Sequence, residues 1–129
     1  MYELTVRSHF DAAHFLKNYQ GKCAHIHGHT WQVEVKIRGN NLDETGMLVD
    51  FSLVKKNLRA IAGQLDHSLL NDLAFFKDIN PTAENISKII FYKMEESLKE
   101  YPVSVNSVTV WESPGAAATF IKDEEEGGE

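Results

Sequence analysis

Cysteine is nearly absent: Cys23 is the only one among 129 residues. A single thiol excludes an internal disulfide framework and fits a reducing compartment, so a cytoplasmic location is expected. No apolar run is long enough to span a membrane. The first residues, Met1 to Arg7, lack the basic start and apolar core of a secretory signal. There is no basic stripe, which argues against nucleic acid as a partner. The net charge is -6, from 13 basic and 19 acidic residues. Asp123, Glu124, Glu125, Glu126 and Glu129 supply five of the acids. Without them the balance is 13 against 14, so the body of the chain is close to neutral. The expected organisation is one catalytic-sized domain over 1–122 and an acidic disordered tail over 123–129.

Against these absences stands one dense stretch, Cys23-Ala24-His25-Ile26-His27-Gly28-His29-Thr30-Trp31. It holds three of the six histidines and runs into a strict alternation. Trp31, Val33, Val35 and Ile37 share one parity; Gln32, Glu34, Lys36 and Arg38 share the other. That is the pattern of a half-buried strand, expected from about Ile26 to Arg38. Side chains two apart on a strand share a face. His27 and His29 then face the side that buries Trp31, and two imidazoles so placed can converge on one ion. Three histidines with an open position is the pattern of a catalytic zinc site. Parity alone does not choose the ligands, because His25 shares it.

A third ligand has to come from elsewhere. Tyr2, Leu4 and Val6 alternate with Glu3, Thr5 and Arg7, giving a first strand that continues to His14. His14 shares the inward parity of Leu4 and Val6 and is the leading candidate; His9 falls on the outward parity. Residues 15–22 read as a loop. Turn formers crowd 39–46, and Met47-Leu48-Val49 reads as a short extended piece. From Phe51 the period changes: Phe51, Val54, Leu58, Ile61 and Leu65 form one helical face, with Asp50 or Ser52 as its cap. Residues 66–72 read as a polar connection with adjacent Asp66 and His67. A second helix starts around Asn80-Pro81-Thr82, with proline in its first turn and Ile86, Ile89, Ile90, Met94 and Leu98 buried. Pro102 ends it. Val103 to Trp111 and Ala116 to Ile121 read as two further strands about the Pro114-Gly115 turn. The expected architecture is α+β: a four-stranded antiparallel sheet with two helices on one face.

Beyond the histidines, three features bear on chemistry. Cys23 lies in a polar loop beside Lys22, and a nearby cation or metal would favour its thiolate. A carboxylate such as Asp66 can fix a histidine tautomer and raise its basicity. Glu112 shares the parity of Val108 and Val110 at a strand end, where a carboxylate either passes the edge into solvent or anchors a cationic or amide-like ligand.

Six blocks occur together: Phe10-Asp11-Ala12-Ala13-His14, Cys23-x-x-x-His27-Gly28-His29, Val49-Asp50-Phe51, Leu65-Asp66-His67-x-x-Leu70-Asn71, Asn80-Pro81-Thr82-x-Glu84-Asn85 and Trp111-Glu112. Their order resembles the 6-pyruvoyl-tetrahydropterin synthase family, most closely its bacterial branch, which forms 6-carboxy-5,6,7,8-tetrahydropterin for queuosine. The resemblance covers all but the acidic tail. It implies the tunnelling fold, assembled as a homohexameric barrel of two trimers with active sites between subunits. It implies Zn²⁺ on His14, His27 and His29, leaving His25 out. It implies Cys23 as general base, with His67 and Asp66 passing protons on the other side of the substrate. It implies that Glu112 binds the pterin ring, with Thr82, Glu84 and the backbone around Asp50 and Phe51 nearby. The implied substrate is the small molecule 7,8-dihydroneopterin triphosphate, cleaved by a lyase reaction that needs no redox cofactor. Lys17, Lys22 and Arg7 are candidates for the triphosphate on charge alone.

Overall fold

The structure is a computed structural model that describes residues 1–123. The acidic tail expected at 123–129 lies outside the described residues from Glu124 onward. Strand β1 spans Tyr2–His14, β2 His27–Gly39, helix α1 Phe51–Gly63, β3 Ser68–Leu69, helix α2 Ala83–Ser97, β4 Ser104–Ser113 and β5 Ala116–Ile121. They form one five-stranded sheet in the order β3-β1-β2-β4-β5. All pairings are antiparallel except β1 with β3.

This corrects the expectation of four antiparallel strands. The extra strand, β3, pairs Ser68 and Leu69 in parallel with Ala12 and Ala13. Two residues are too few for alternation to register in a sequence, and the pairing depends on a segment more than fifty residues away.

The alternation along β1 and β2 becomes burial. Val6, Phe10, Ala12 and His14 face inward from β1; Trp31, Val33, Val35 and Ile37 face inward from β2. In β4 the inward residues are Val105, Val108 and Val110, which break strict alternation. A register shift opposite Lys36 and Ile37 absorbs the odd residue, as a β-bulge does. α1 lies over β1, and α2 over β4 and β5. Val54, Leu58, Ile61 and Leu65, with Ile86, Ile90, Phe91, Met94 and Leu98, close the core from the helical side. Each such side chain contributes about 1.5–3 kcal/mol by leaving water.

Phe51 departs from the expected face: it is 50% exposed. As the first residue of α1 it precedes the turn that reaches the core. Asp50 caps α1, its carboxylate accepting from the Ser52 N–H at 2.8 Å. Thr82 caps α2 by accepting from the Asn85 N–H at 3.1 Å, a type of contact that stabilises a helix by about 1 kcal/mol. Pro81 therefore sits before the cap and not in the first turn. Residues 47–49 form no strand; they bend into α1 with Leu48 and Val49 buried.

The face of the sheet away from the helices is polar. Arg7 pairs with Glu34, and Arg38 with Glu3. Arg7 is thus engaged with Glu34 on the open face. Lys17 and Lys22 are exposed in the β1–β2 connection.

Candidate active site

The β1–β2 register sets the centre of the site. His14 lies directly opposite His27, and His29 opposite Ala12, so all three imidazoles leave the sheet on its inward face at one end. Their ligating atoms lie within 4.8 Å of one another. Trp31 forms the floor, its indole edge-on to His14 at 4.9 Å and to His29 at 5.3 Å between centroids. The Trp31 indole N–H donates to the Ala12 carbonyl at 3.2 Å, which holds the floor to β1.

Hydrogen bonding decides which nitrogens are free. His14 Nδ1 donates to the Pro81 carbonyl at 2.7 Å, and His27 Nδ1 donates to the His25 carbonyl at 2.7 Å. Each neutral ring then carries its proton on Nδ1 and a bare lone pair on Nε2. The two bare Nε2 atoms face each other at 3.0 Å. His29 Nε2 is buried with no hydrogen-bond partner among the described residues. A Glu112 carboxylate oxygen lies 3.6 Å from His14 Nε2, and another 3.7 Å from His29 Nε2. Two bare lone pairs, the unpartnered Nε2 of His29 and a carboxylate converge, an arrangement that a cation satisfies. Two nitrogens on a tetrahedral Zn²⁺ stand about 3.3 Å apart, close to the spacing of His14 and His27. Backbone acceptors on the far ring nitrogens are the usual supports of metal-bound histidines. The residues present fit a metal ion.

Protonation is set against competition with that ion. Burial pushes the His14 imidazole below its ordinary pKa; the Pro81 carbonyl opposes and His27 adds to the shift. Burial likewise lowers His29, against the neighbouring Glu112. Neutral imidazole is the ligating form.

A cleft of about 330 Å³ opens beside the trio. It is lined by His14, Leu16, Thr82, Glu84, Glu112 and residues 116–118 of β5. The structure thus brings Glu112, Thr82 and Glu84 to the same cleft as His14, a member of the histidine cluster.

Cys23 sits in a single 3-10 turn, Lys22–Ala24, half-buried. It is not a member of the histidine cluster. Its carbonyl accepts from the Leu16 N–H at 2.7 Å, which ties its turn to a residue of the cleft wall.

Asp66 and His67 form a separate cluster on the β3 edge, with Asp11. His67 adopts a left-handed backbone, φ 53°, a region uncommon outside glycine in which Asn, Asp and His are over-represented. Two bonds to β1 hold it there: the His67 N–H donates to the Asp11 carbonyl at 2.6 Å, and the Asp11 N–H donates to Asp66 Oδ1 at 2.8 Å. The ring Nδ1 of His67 meets Asp66 Oδ2 at 2.9 Å, so these sequence neighbours do touch. The Asp11 N–H, then the charge of His67, keep the Asp66 carboxyl below its usual range. The His67 side chain is 81% exposed. His67 and His29 both line a shallow cavity of about 570 Å³ on this side.

Asp50 and Phe51 are not brought to this site. Asp50 lines a cleft with Leu42, Leu48 and Tyr101, at the end of the sheet marked by Gly39. In the β1–β2 ladder Gly39 pairs with Tyr2, and the histidines pair at the opposite end. Sequence reasoning missed the Pro81 carbonyl and the Asp11 backbone. Both act through main-chain atoms and leave no side-chain signature.

A sequence profile of the 6-pyruvoyl tetrahydropterin synthase family matches residues 3–123. The 6-carboxy-5,6,7,8-tetrahydropterin synthase of Bacillus subtilis (strain 168) is 36% identical over 127 residues, covering 92% of this chain and 84% of that protein. That of Synechocystis sp. (strain ATCC 27184 / PCC 6803 / Kazusa) is 38% identical over 117 residues, covering 87% of each. The structure of Caenorhabditis elegans 6-pyruvoyl tetrahydropterin synthase superposes with a TM-score of 0.82 at 28% identity, covering 95% of this chain and 96% of that one. Among the described residues no helix is long and apolar enough to cross a membrane. With a profile match across nearly its whole length and relatives above 30% identity, the chain belongs to the 6-pyruvoyl tetrahydropterin synthase family.

Proposed function

We propose that the chain is a zinc-dependent lyase. It converts 7,8-dihydroneopterin triphosphate and water to 6-carboxy-5,6,7,8-tetrahydropterin, releasing acetaldehyde and triphosphate, as a cytoplasmic step of queuosine-type 7-deazapurine biosynthesis. The observation that carries the reading is the convergence of His14, His27 and His29 with Glu112 beside them, at a 330 Å³ cleft that His14 and Glu112 line. The names of the Bacillus subtilis and Synechocystis relatives support the choice of product.

His14, His27 and His29 would hold Zn²⁺, which would supply Lewis acidity toward the side-chain hydroxyls of the substrate. Glu112 accepts from the amino and ring N–H groups of the pterin, a planar donor pair that a carboxylate matches. Thr82 and Glu84 border the ring. Cys23 takes a proton from the substrate side chain as general base. His67, oriented by Asp66, carries protons on the opposite side. The hydrogens that reduce the ring come from the substrate's own side chain, so no external reductant enters.

The isolated chain leaves His67 exposed and Asp50 and Phe51 at the far end of the sheet. A homohexameric tunnelling-fold barrel, with sites completed between subunits, brings such dispersed residues together. Lys17 and Lys22, both exposed and the latter in the same turn as Cys23, are the candidates for the triphosphate.

The test is a product assay. Zinc-loaded protein is incubated anaerobically with the substrate, and products are identified by mass spectrometry. Carboxytetrahydropterin with acetaldehyde is the expected result. The likeness to the Caenorhabditis elegans enzyme favours one second reading, triphosphate elimination without carbon–carbon cleavage, and pyruvoyl-tetrahydropterin as product would establish it. Binding without either product would make the chain a non-catalytic pterin-binding module.

A further inference from the structure

Three asparagines in the sequence blocks, Asn71, Asn80 and Asn85, take no part in the proposed chemistry. Two of them make the same unusual contact. Asn71 Oδ1 accepts from the Phe15 N–H, and Asn71 Nδ2 donates to the Phe15 carbonyl, both at 3.0 Å. Asn80 Oδ1 accepts from the Lys17 N–H at 2.8 Å, and Asn80 Nδ2 donates to the Lys17 carbonyl at 3.0 Å. A primary amide presents one acceptor and one donor side by side, as a backbone residue on a neighbouring strand does. Each asparagine therefore replaces one residue of a strand.

The two clasps continue an edge that β3 begins. Ser68 and Leu69 pair with Ala12 and Ala13; Asn71 takes Phe15 and Asn80 takes Lys17. The intervening Leu16 turns its N–H to the Cys23 carbonyl at 2.7 Å. Residues 15–17 thus run between two asparagine side chains and the turn that carries Cys23. Asn80 is itself anchored: its carbonyl accepts from Asn85 Nδ2 and from the Thr82 N–H, both at 2.9 Å. It is also adjacent to Pro81, whose carbonyl orients His14.

We infer that Asn71 and Asn80 are positioning residues. Their amides serve as a substitute strand edge that holds residues 15–17 in place past His14, and so fix the Cys23 turn relative to the histidine trio. The inference rests on the reading of Cys23 as the proton-transfer group. Any change at the thiol is read separately from turnover, because Cys23 is the only cysteine.

The experiment uses the zinc-loaded full chain with Asn71→Ala, Asn80→Ala and Asn80→Asp. The last keeps the acceptor and loses the donor, and serves if an alanine variant does not fold. Ile37→Val, in the core toward the opposite end of the β1–β2 ladder, controls for lost stability. The rate of Cys23 alkylation by iodoacetamide is followed across pH by mass spectrometry, beside kcat and KM. Losing two hydrogen bonds is expected to raise the alkylation rate about five- to tenfold in each alanine variant and to move its pH midpoint. kcat should fall by a similar factor with KM held, and Asn80→Asp should lie between. Ile37→Val should lower the melting temperature and leave the thiol unchanged. Alkylation rates and midpoints indistinguishable from wild type in folded clasp variants overturn the inference, whatever the activity. Altered alkylation with unchanged kcat upholds the clasp and overturns the role of Cys23 in the reaction.

Discussion

The histidine trio and the Asp66–His67 pair are both anchored to β1, and they differ in almost every other respect. The trio is inward-facing, floored by Trp31, and His14 is 1% exposed. Its ring orientations are fixed by backbone carbonyls from two different loops. The pair lies on the sheet edge, held in a left-handed turn, with its imidazole in solvent. One region is complete within the fold. The other is rigid in its backbone but open toward whatever lies beside the chain. A metal centre needs several ligands within a few ångströms and pays heavily for misplacement, so it is built where packing is dense. The proton-transfer role proposed for His67 needs only an aimed side chain, and an edge turn supplies that.

Substitutions at the two regions should separate sharply. His27→Ala removes one of three ligands and is expected to lose metal by more than the roughly 10–100-fold typical of losing a supporting partner. Metal analysis after dialysis reads this. His67→Ala should keep full metal stoichiometry and lose turnover. Metal loss in His67→Ala would merge the two regions into one coordinated site and end the comparison.

Cys23→Ala probes the ground between them. Metal content should be retained, and kcat should fall by roughly 10²–10⁴, the usual contribution of a positioned acid–base group. Full activity would remove Cys23 from the mechanism.

Glu112→Gln sharpens the trio side. Replacing a charged acceptor by a neutral one should raise KM about tenfold to a hundredfold with metal retained, since hydrogen bonds to charged groups contribute about 1.5–3 kcal/mol. An inert substitution would point to a zinc lyase acting on a different substrate.

The smallest effect concerns pH. His14 and His29 are held below their ordinary pKa by burial, so the folded metal-free chain binds fewer protons there than the unfolded chain does. Stability from these groups is present above about pH 6.5, the unfolded value, and is lost as pH falls through the lowered folded values. The metal-free protein should melt at a lower temperature at pH 5 than at pH 7.5. His29→Gln should flatten that slope.

Much of this was legible in the residues. Alternation located four strands, and the parity of His14 with Leu4 and Val6 placed it on the face of His27 and His29. The three–four spacing from Val54 to Leu65 marked the buried stripe of α1. Phe51 misled because a helix's first residue shares the spacing without sharing the burial. β3 was invisible because two residues carry no period. The Asp66–His67 contact was equally hidden, since adjacent side chains meet only when a turn such as His67's redirects one of them.

The sequence by itself determined the alternating faces, the two helical stripes and the family blocks, because periodicity and residue type are local properties. Tertiary structure alone decided which nitrogens of His14 and His27 are free. It also brought Asn71 and Asn80 against Phe15 and Lys17, and put Asp50 at the far end of the sheet from the histidines. Those outcomes depend on main-chain donors and acceptors that every residue carries alike, and only the fold chooses which of them meet.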